Sequence, residues 1–529
     1  MQLPAKNLLI SILGALLLWA AWPTSPLTLL IFVAWLPLLF LTERGLSWRQ
    51  YFGYTYIHMV LWNVLTTWWV AKASLVGGVS AFFANSLIMC VPWLLYYFTT
   101  KHVKGFIGSL SIIAYWLAFE YLHHNWDLSW PWLTLGNAFA THPGWVQWYE
   151  YTGTPGGSLW ILLSNVMIFY VLKLYSQEGR TLRYFRNIAA WLLLLFIPIL
   201  LSFFVKNDLT LLHSKYNVVV VQPNIDPWGE KFEAGSQEAQ LQKLISLSKE
   251  QIDANTALVV WPETAIPFQT DENKLKENFA LDPLLTFLKG NPHINLVTGL
   301  EGFRQFDTKI SRFAKSFRNG GGYYEMYNTA LMLDSSNIQI YHKSRLVPGV
   351  EVLPGFLAFM APAFEKFGGT GGGYAKDTNT HVFTTSNNSY NVTPAICYES
   401  IYGDYLAAFN RKGANLVCII TNDGWWGDTQ GYKQHMNYAR LRAIESRKWV
   451  ARSANTGVSC FIDPFGNIIQ QMGWDVDGAL KQTVPAYVTD TFYTRHGDLL
   501  SKIVSGPAAA LLLLSIIRKI KSRTLSKTS

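Results

Sequence analysis

The sequence predicts two folds in one chain: a polytopic α-helical membrane domain with eight transmembrane helices, and a layered α/β domain. Half of the 529 residues are hydrophobic and only 15% are charged, against roughly 25% in soluble proteins. Long apolar runs fill the first part of the chain and recur near its end. The segment between them holds shorter apolar runs that alternate with helical patterns, which is typical of a layered α/β domain.

The predicted membrane domain covers residues 1–205. It contains seven apolar runs, each close to the ~20 residues that cross a bilayer, at 8–22, 27–41, 54–70, 79–98, 107–121, 159–175 and 188–205. We interpret the first run as an uncleaved helix rather than a signal peptide, because it lacks a convincing cleavage site and a second run follows closely. An eighth run, at 503–517, begins a final segment over residues 503–529.

The distribution of basic residues predicts how these helices are oriented across the membrane. Lysine and arginine follow the second, fourth and sixth runs and fill the C-terminal tail, whereas the alternate loops have almost none. The positive-inside rule therefore predicts that both termini are cytoplasmic and that residues 215–495 lie on the far side of the membrane. The net charge of +9 fits this topology, and the chain has no basic stripe with interleaved aromatics, so nucleic acid is not an expected partner.

Residues 215–495 have the pattern of a buried sheet with covering helices. Apolar stretches of strand length lie at 217–222, 257–261, 295–299, 329–333, 392–396, 416–421 and 458–462, and helical patterns lie at 237–253 and 432–448. This alternation predicts a layered α/β domain with a largely buried sheet.

Residues that can carry chemistry follow two of these strands and one further short apolar stretch. Cys397 follows one strand directly, Glu263 follows another after a proline, and Lys343 follows a third apolar stretch. Taken singly, such a cysteine is more often a small buried hydrophobe, and the two charges are more often on the surface. Together they supply a base, a cation for developing negative charge and a sulfur nucleophile.

The sequence around these residues resembles a known family. WPETAIP at 261–267, HKSRLVPGVEVLP at 342–354 and PAICYES at 394–400 resemble the three catalytic blocks of the nitrilase, or carbon–nitrogen hydrolase, superfamily. That resemblance implies a nitrilase-like α-β-β-α sandwich. The surrounding membrane segments, with YNTALML at 327–333 and TNDGWWG at 421–427, are similar to the apolipoprotein N-acyltransferase family in particular. This further implies a bacterial inner-membrane protein with a periplasmic catalytic domain.

The resemblance also implies roles and substrates. Glu263 would be the general base, Lys343 would stabilise the tetrahedral oxyanion, and Cys397 would carry an acyl group as a thioester. The implied reaction is ping-pong: an acyl chain passes from a membrane glycerophospholipid to the α-amino group of the N-terminal diacylglyceryl-cysteine of an apolipoprotein. We expect no cofactor, no metal ion and a monomer.

Other residues match the family pattern less fully. Glu351, eight residues after Lys343, corresponds to a further essential carboxylate, although Gly349 and Val350 precede it where the family has Phe-Gly. A surface charge is the alternative for Glu351. Tyr398 and Glu399 would shape the pocket, with a structural ion pair as the alternative for Glu399. Asn328 would donate a hydrogen bond near the site or simply occupy a buried turn.

His435 has no cysteine or histidine at metal-ligand spacing, so we interpret it as structural. Trp425 and Trp426 would contact an acyl chain or pack within the core. Two other functions remain open from the residues alone: a membrane-anchored amidase, and a transporter or receptor with a degenerate enzyme-like domain. The few charges inside the apolar runs argue against the transporter.

Overall fold

The computed structural model describes residues 4–205, 209–211, 215–231, 233, 235–317, 320–361 and 373–528. The chain divides into two compact units. The first comprises Met1–Trp68, Val79–Lys206 and Asp498–Ser529, and the second comprises Trp69–Gly78 and Asn207–Gly497.

The α-helices are α1 Ala5–Ala21, α2 Leu36–Thr42, α3 Trp48–Thr67, α4 Val70–Ala73, α5 Leu75–His102, α6 Phe106–His124, α7 Tyr149–Thr152, α8 Thr154–Glu178, α9 Leu182–Phe204, α10 Gln237–Gln251, α11 Asp282–Lys289, α12 Gly403–Asn410, α13 Gln430–Ser446, α14 Phe492–His496 and α15 Leu499–Thr528. Within the described residues, four of them are long and apolar enough to cross a membrane: α5, α8, α9 and α15 up to Thr524. The count of eight crossings therefore stays a prediction.

The second apolar run of the sequence is not one continuous helix. It forms a 3₁₀ turn, Thr28–Phe32, and then the seven-residue α2, which has a proline in its first turn. At 1.5 Å per residue α2 is about 10 Å long, far short of the ~30 Å hydrocarbon core. The Asn165 side chain satisfies the backbone at this break, since it accepts from Trp35 N at 2.8 Å and donates to Ile31 O at 2.9 Å.

The second unit contains two β-sheets. Its strands are β1 Tyr216–Gln222, β2 Thr256–Val260, β3 Ile266–Asp271, β4 Asn295–Phe306, β5 Lys315–Ser316, β6 Tyr323–Leu333, β7 Ile338–His342, β8 Phe383–Thr384, β9 Asn391–Ile396, β10 Leu416–Thr421, β11 Trp449–Ala454, β12 Cys460–Ile462, β13 Ile468–Gln471 and β14 Gly478–Val484. The eight-stranded sheet has the order β14-β1-β2-β4-β6-β5, with β3 on β4 and β7 on β6. The six-stranded sheet runs β13-β12-β11-β10-β9-β8.

The period of two along each strand explains the layers. In β1, Val218 and Val220 pack into one apolar core with residues of β9 and β10, whereas Val219 and Val221 pack against α10 and α11. The six-stranded sheet likewise turns Val417 and Ile419 toward α12 and α13. The two sheets thus face each other across one core and each is covered by helices, giving an α-β-β-α sandwich.

Candidate active site

Three strand ends carry the residues that the sequence singled out. Glu263 lies just beyond β2 and Lys343 directly follows β7, both in the eight-stranded sheet, whereas Cys397 directly follows β9 in the six-stranded sheet. All three side chains are buried. Because the two sheets face each other, the site combines groups from both.

Cys397 occupies a sharp turn between strand and helix. Its φ is 48°, a left-handed conformation that non-glycine residues seldom adopt, and it begins a 3₁₀ helix, Cys397–Ile401. The Ser400 hydroxyl donates to the Cys397 carbonyl at 2.7 Å, which holds the turn closed. Such a turn presents the sulfur at the end of the strand.

The turn that carries Glu263 is also left-handed. Thr264 has a φ of 48°, and Gly299 N donates to Pro262 O at 3.1 Å. A Cβ on Gly299 would lie 2.4 Å from Thr264 N, so only glycine allows β4 to approach this closely. The buried Lys231 ammonium adds a bond to the Thr264 hydroxyl at 2.5 Å.

Lys343 connects two carboxylates. Its Nζ lies 2.8 Å from Glu351 Oε1 and 3.3 Å from Glu263 Oε1, and the side chain is only 1% exposed. Asn328 bridges the same two carboxylates, since its Nδ2 donates to Glu263 Oε1 at 2.8 Å and to Glu351 Oε1 at 3.1 Å. Glu351 is therefore a buried partner of Lys343 and not a surface charge, and Asn328 is not merely a turn residue.

Backbone amides fix the remaining carboxylate oxygens. Asn422 N donates to Glu263 Oε2 at 3.2 Å, and Val347 N donates to Glu351 Oε2 at 2.8 Å. Each carboxylate thus has donors on both oxygens, which defines its orientation.

The electrostatics of the cluster favour a charged lysine and a neutral thiol. Burial alone would lower the pKa of Lys343, but Glu263 and Glu351 together raise it well above its ordinary value. Burial raises the pKa of the Cys397 thiol strongly, Glu263 adds to this, and Lys343 opposes it. The resting sulfur is therefore protonated and needs a base before it can attack.

Glu399 does not join this cluster. It is fully buried and accepts hydrogen bonds from Ile396 N at 3.0 Å, Ser344 N at 2.7 Å and the Tyr341 hydroxyl at 2.6 Å. Burial raises its pKa. Glu399 thus connects the end of β9 to the backbone after Lys343, a hydrogen-bonded role rather than an ion pair.

Tyr398 and the two neighbouring tryptophans pack on aromatic rings. Tyr398 is buried with its ring 5.4 Å from that of Tyr402. Trp426 packs against Trp69 at 4.6 Å and against His435 at 5.6 Å, and Trp425 meets Trp228 edge to face at 5.0 Å. These contacts favour packing for Trp426.

Sequence reasoning missed the contribution of the segment after β10. Asn422 donates to Glu263 through its backbone, and Asp423 bonds His435, whose Nε2 lies 3.2 Å from the Cys397 carbonyl. The motif TNDGWWG was the available signal, since Thr421 ends an apolar run and Asp423 follows it two residues later.

The four cysteines Cys90, Cys397, Cys418 and Cys460 are free and buried. Within the described part of the chain, no group of three or more histidine, cysteine or acidic side chains is arranged to hold a metal ion.

Comparison with known proteins gives two family matches. Residues 217–493 match the carbon-nitrogen hydrolase family, and residues 14–167 match the apolipoprotein N-acyltransferase N-terminal domain. The apolipoprotein N-acyltransferase of Chlorobaculum tepidum is 32% identical over 538 residues, which cover 98% of each chain. The one from Geobacter metallireducens is 24% identical over 98% of this chain and 96% of its own.

A solved structure, Saccharomyces cerevisiae Nit3 of the nitrilase superfamily, has 16% identity and a TM-score of 0.37, covering 53% of this chain and 93% of its own. The family match over residues 217–493 covers more than half of the chain, so the site lies in an enzyme domain of the carbon–nitrogen hydrolase superfamily. Similarity along the whole chain narrows this class. The chain belongs to the apolipoprotein N-acyltransferase family, and it is an acyltransferase. Family membership and the four apolar helices indicate a protein of the bacterial inner membrane.

Proposed function

We propose that this enzyme transfers an acyl chain from a membrane glycerophospholipid, through a thioester on Cys397, to the α-amino group of the N-terminal diacylglyceryl-cysteine of apolipoproteins. The observation that carries this proposal is that Glu263 and Lys343 meet in one buried cluster. The charges of both residues influence the pKa of the Cys397 thiol. Similarity to apolipoprotein N-acyltransferases along the whole chain supports the choice of substrates.

The first half-reaction forms the thioester. Glu263 takes the proton of the Cys397 thiol, and the thiolate attacks the ester carbonyl of the phospholipid. The Lys343 ammonium stabilises the oxyanion of the tetrahedral intermediate. As the carbon–oxygen bond breaks, Glu263 returns the proton to the leaving oxygen and a lysophospholipid departs.

The second half-reaction forms the amide. The α-ammonium of the lipoprotein loses a proton to Glu263, and the free amine attacks the thioester carbonyl. Glu263 releases this first proton to the solvent and takes the second nitrogen proton as the carbon–nitrogen bond forms. The carbon–sulfur bond then breaks, and the leaving thiolate regains a proton from Glu263. Because Lys343 is 1% exposed and Cys397 is 9% exposed, bulk water has little access to the thioester, which favours an amine over hydrolysis.

Supporting residues have more limited roles. Glu351 and Asn328 hold Lys343 and Glu263 at hydrogen-bonding distance, so we assign them to positioning. Glu399 fixes the backbone on both sides of the site, and Tyr398 shapes its wall by packing on Tyr402.

The membrane arrangement completes the proposal. We propose seven transmembrane helices in residues 1–205, a periplasmic catalytic domain over 215–495, and an eighth helix with a cytoplasmic tail over 503–529. Both substrates are anchored by acyl chains, each buried methylene contributing about 0.8 kcal/mol, so a membrane-tethered catalytic domain suits them. A periplasm-specific reporter fused after Ser386 should be active, and a fusion at Arg180 should be silent; the reverse pattern would invert the topology.

The reaction is tested with purified enzyme, a phospholipid and a diacylated lipopeptide. We expect the lipopeptide mass to increase by one acyl chain. A phospholipid that is cleaved to free fatty acid with no change in the lipopeptide would instead favour the hydrolase alternative. Size measurement of the detergent-solubilised protein tests the expectation of a monomer.

The nucleophile has its own test. Without acceptor, the wild-type enzyme should accumulate a hydroxylamine-sensitive acyl adduct on the Cys397 peptide. Cys397→Ser should abolish this adduct, and the matched variant Cys418→Ser, in a core cysteine of β10, should retain it. An adduct that persists in Cys397→Ser would assign the nucleophile elsewhere.

A further inference from the structure

Cys397 has a hydroxyl neighbour on the adjacent strand. β9 and β10 are parallel, with Ile396 opposite Ile420, so Cys397 and Thr421 occupy the next register positions at the same sheet edge. Thr421 is fully buried. Its hydroxyl lowers the pKa of the Cys397 thiol, against the larger effect of burial.

The same hydroxyl also contacts Asp423. Thr421 Oγ1 donates to Asp423 Oδ1 at 3.1 Å, but this carboxylate has two stronger partners. Arg452 Nη2 donates to Oδ2 at 2.7 Å, and His435 Nδ1 lies 3.0 Å from Oδ1. Arg452 and His435 outweigh burial and lower the pKa of Asp423, so it stays ionised. Asp423 therefore keeps two partners when the Thr421 hydroxyl turns away from it.

His435 connects Asp423 to the backbone of Cys397. Its Nε2 lies 3.2 Å from the Cys397 carbonyl and 3.0 Å from Ser400 Oγ. Since the Ser400 hydroxyl donates its own proton to that carbonyl at 2.7 Å, both oxygens accept from His435, which places a proton on Nε2. Hydrogen bonds thus run from Thr421 through Asp423 and His435 to the Cys397 carbonyl, beside the sulfur.

We propose that Thr421 is a further catalytic residue, whose hydroxyl turns from Asp423 to the Cys397 sulfur when the thiolate forms. Asp423 and His435 are positioning residues that hold this hydroxyl and the Cys397 carbonyl. The inference rests on the proposed function, because it requires Cys397 to be the nucleophile. No proton is transferred by Thr421: the thiol proton goes to Glu263, and the hydroxyl keeps its own.

The Thr421 hydroxyl would stabilise negative charge on the Cys397 sulfur, which Lys343 is not placed to do alone. The Lys343 ammonium is bound by Glu263 and Glu351 and stabilises the oxyanion on the substrate carbonyl. Thr421 gives the sulfur a donor of its own, both when the thiolate attacks and when it leaves the second tetrahedral intermediate. A hydroxyl has a single proton, so it serves Asp423 or the sulfur but not both at once.

Thr421→Val tests the proposal in the full-length enzyme, because it removes the hydroxyl and keeps the branched shape. The readout is the rate at which iodoacetamide alkylates Cys397, followed by the mass of its peptide from neutral to alkaline pH. The charged groups that face the thiol are Glu263, Lys343 and Asp423, and all remain in the variant. We expect alkylation to slow by about ten- to a hundredfold, the loss typical of a hydrogen bond to a charged group, with the pH profile displaced upward.

Acylation by phospholipid separates this role from a structural one. The single-turnover rate constant in Thr421→Val should fall by a similar factor, while the phospholipid concentration at half-maximal rate stays unchanged. Thr421→Ser restores a hydroxyl and should recover most of both rates. Thr393→Val is the matched control, since it removes a fully buried threonine hydroxyl from β9, and it should behave as wild type.

The proposal would be overturned if Thr421→Val were alkylated at the wild-type rate. It would also be overturned if Thr421→Ser and Thr393→Val lost as much alkylation rate as Thr421→Val. Should Thr421→Val fail to fold by thermal melting, Thr421→Ala gives the same comparison with Thr421→Ser. Failure of the proposed function has a different signature, because an acyl adduct would then persist in Cys397→Ser.

Discussion

The Nζ atom of Lys343 lies 2.8 Å from Oε1 of Glu351, and both side chains are buried. The second oxygen of Glu351 accepts from Val347 N at 2.8 Å, so the carboxylate is fixed on its own loop. Glu351 therefore determines where the positive charge of Lys343 is held, and the carboxylate of Glu263 at 3.3 Å remains available for proton transfer.

Glu351→Gln should lower the rate of acyl-enzyme formation by about ten- to a hundredfold, because a charged hydrogen bond to Lys343 is lost while the shape is retained. The rate is measured in a single turnover with phospholipid. Glu325→Gln is the control: Glu325 is also buried, on the same strand as Asn328, but it bonds Ser311 and Tyr327. Equal rates of acyl-enzyme formation in the two variants would show that Glu351 does not position Lys343 for the reaction.

Gly299→Ala should displace Glu263, the proposed base, without changing that residue itself. The new Cβ would meet Thr264 N at 2.4 Å and Glu263 Cα at 2.8 Å, so the left-handed turn must shift. We expect a destabilisation of about 1–3 kcal/mol, typical of overpacking, together with slower acylation. Gly473→Ala is the control, since its Cβ has its nearest neighbour at 4.0 Å. Unchanged melting and unchanged acylation would show that the turn tolerates the methyl group.

Glu399→Gln should destabilise the catalytic domain by about 2–3 kcal/mol. A glutamine presents an amide NH2 group, a hydrogen-bond donor, in place of one carboxylate oxygen. Either Ile396 N or the Ser344 and Tyr341 donors then lose their acceptor. Thermal melting measures the loss, and acylation should fall with it because β9 ends at Cys397. A variant that melts like wild type but acylates slowly would instead give Glu399 a direct chemical role.

Lys448 predicts how stability depends on pH. Burial lowers its pKa from 10.5 to about 8, against the attraction of Asp490, while its ammonium bonds the carbonyls of Tyr487 and Thr489. Between those pH values the unfolded chain binds the proton and the folded chain does not, so raising the pH stabilises the fold. The advantage of wild type over Lys448→Met should therefore grow across this window by at most about 3 kcal/mol. A difference that stays constant with pH would contradict the shifted pKa.

Fully buried strands were the most predictable part of the fold. The apolar run of β10 was predicted at its observed bounds, and the ends of β2 and β9 were placed within one residue. Those strands are covered on both faces, so they leave continuous apolar runs in the sequence. Glu263 and Cys397 could be singled out for the same reason, because each stands where such a run stops.

Half-covered strands and tertiary contacts were not predictable. β14, an edge strand with the sequence GALKQTV, has no continuous apolar run. Likewise, His435 lies on α13, and only the packing of that helix brings it to the Cys397 carbonyl. The apolar run at 27–41 predicted one continuous helix, but the chain breaks there. The Asn165 side chain supports this break, which the composition of the run does not reveal.

Burial of the Cys397 thiol has a consequence for the durability of the enzyme. Peroxides and disulfide oxidants react with thiolates much faster than with protonated thiols. Because the resting sulfur is protonated and 9% exposed, it resists oxidation until Glu263 removes its proton during turnover. An idle enzyme should thus survive oxidising surroundings with its nucleophile intact.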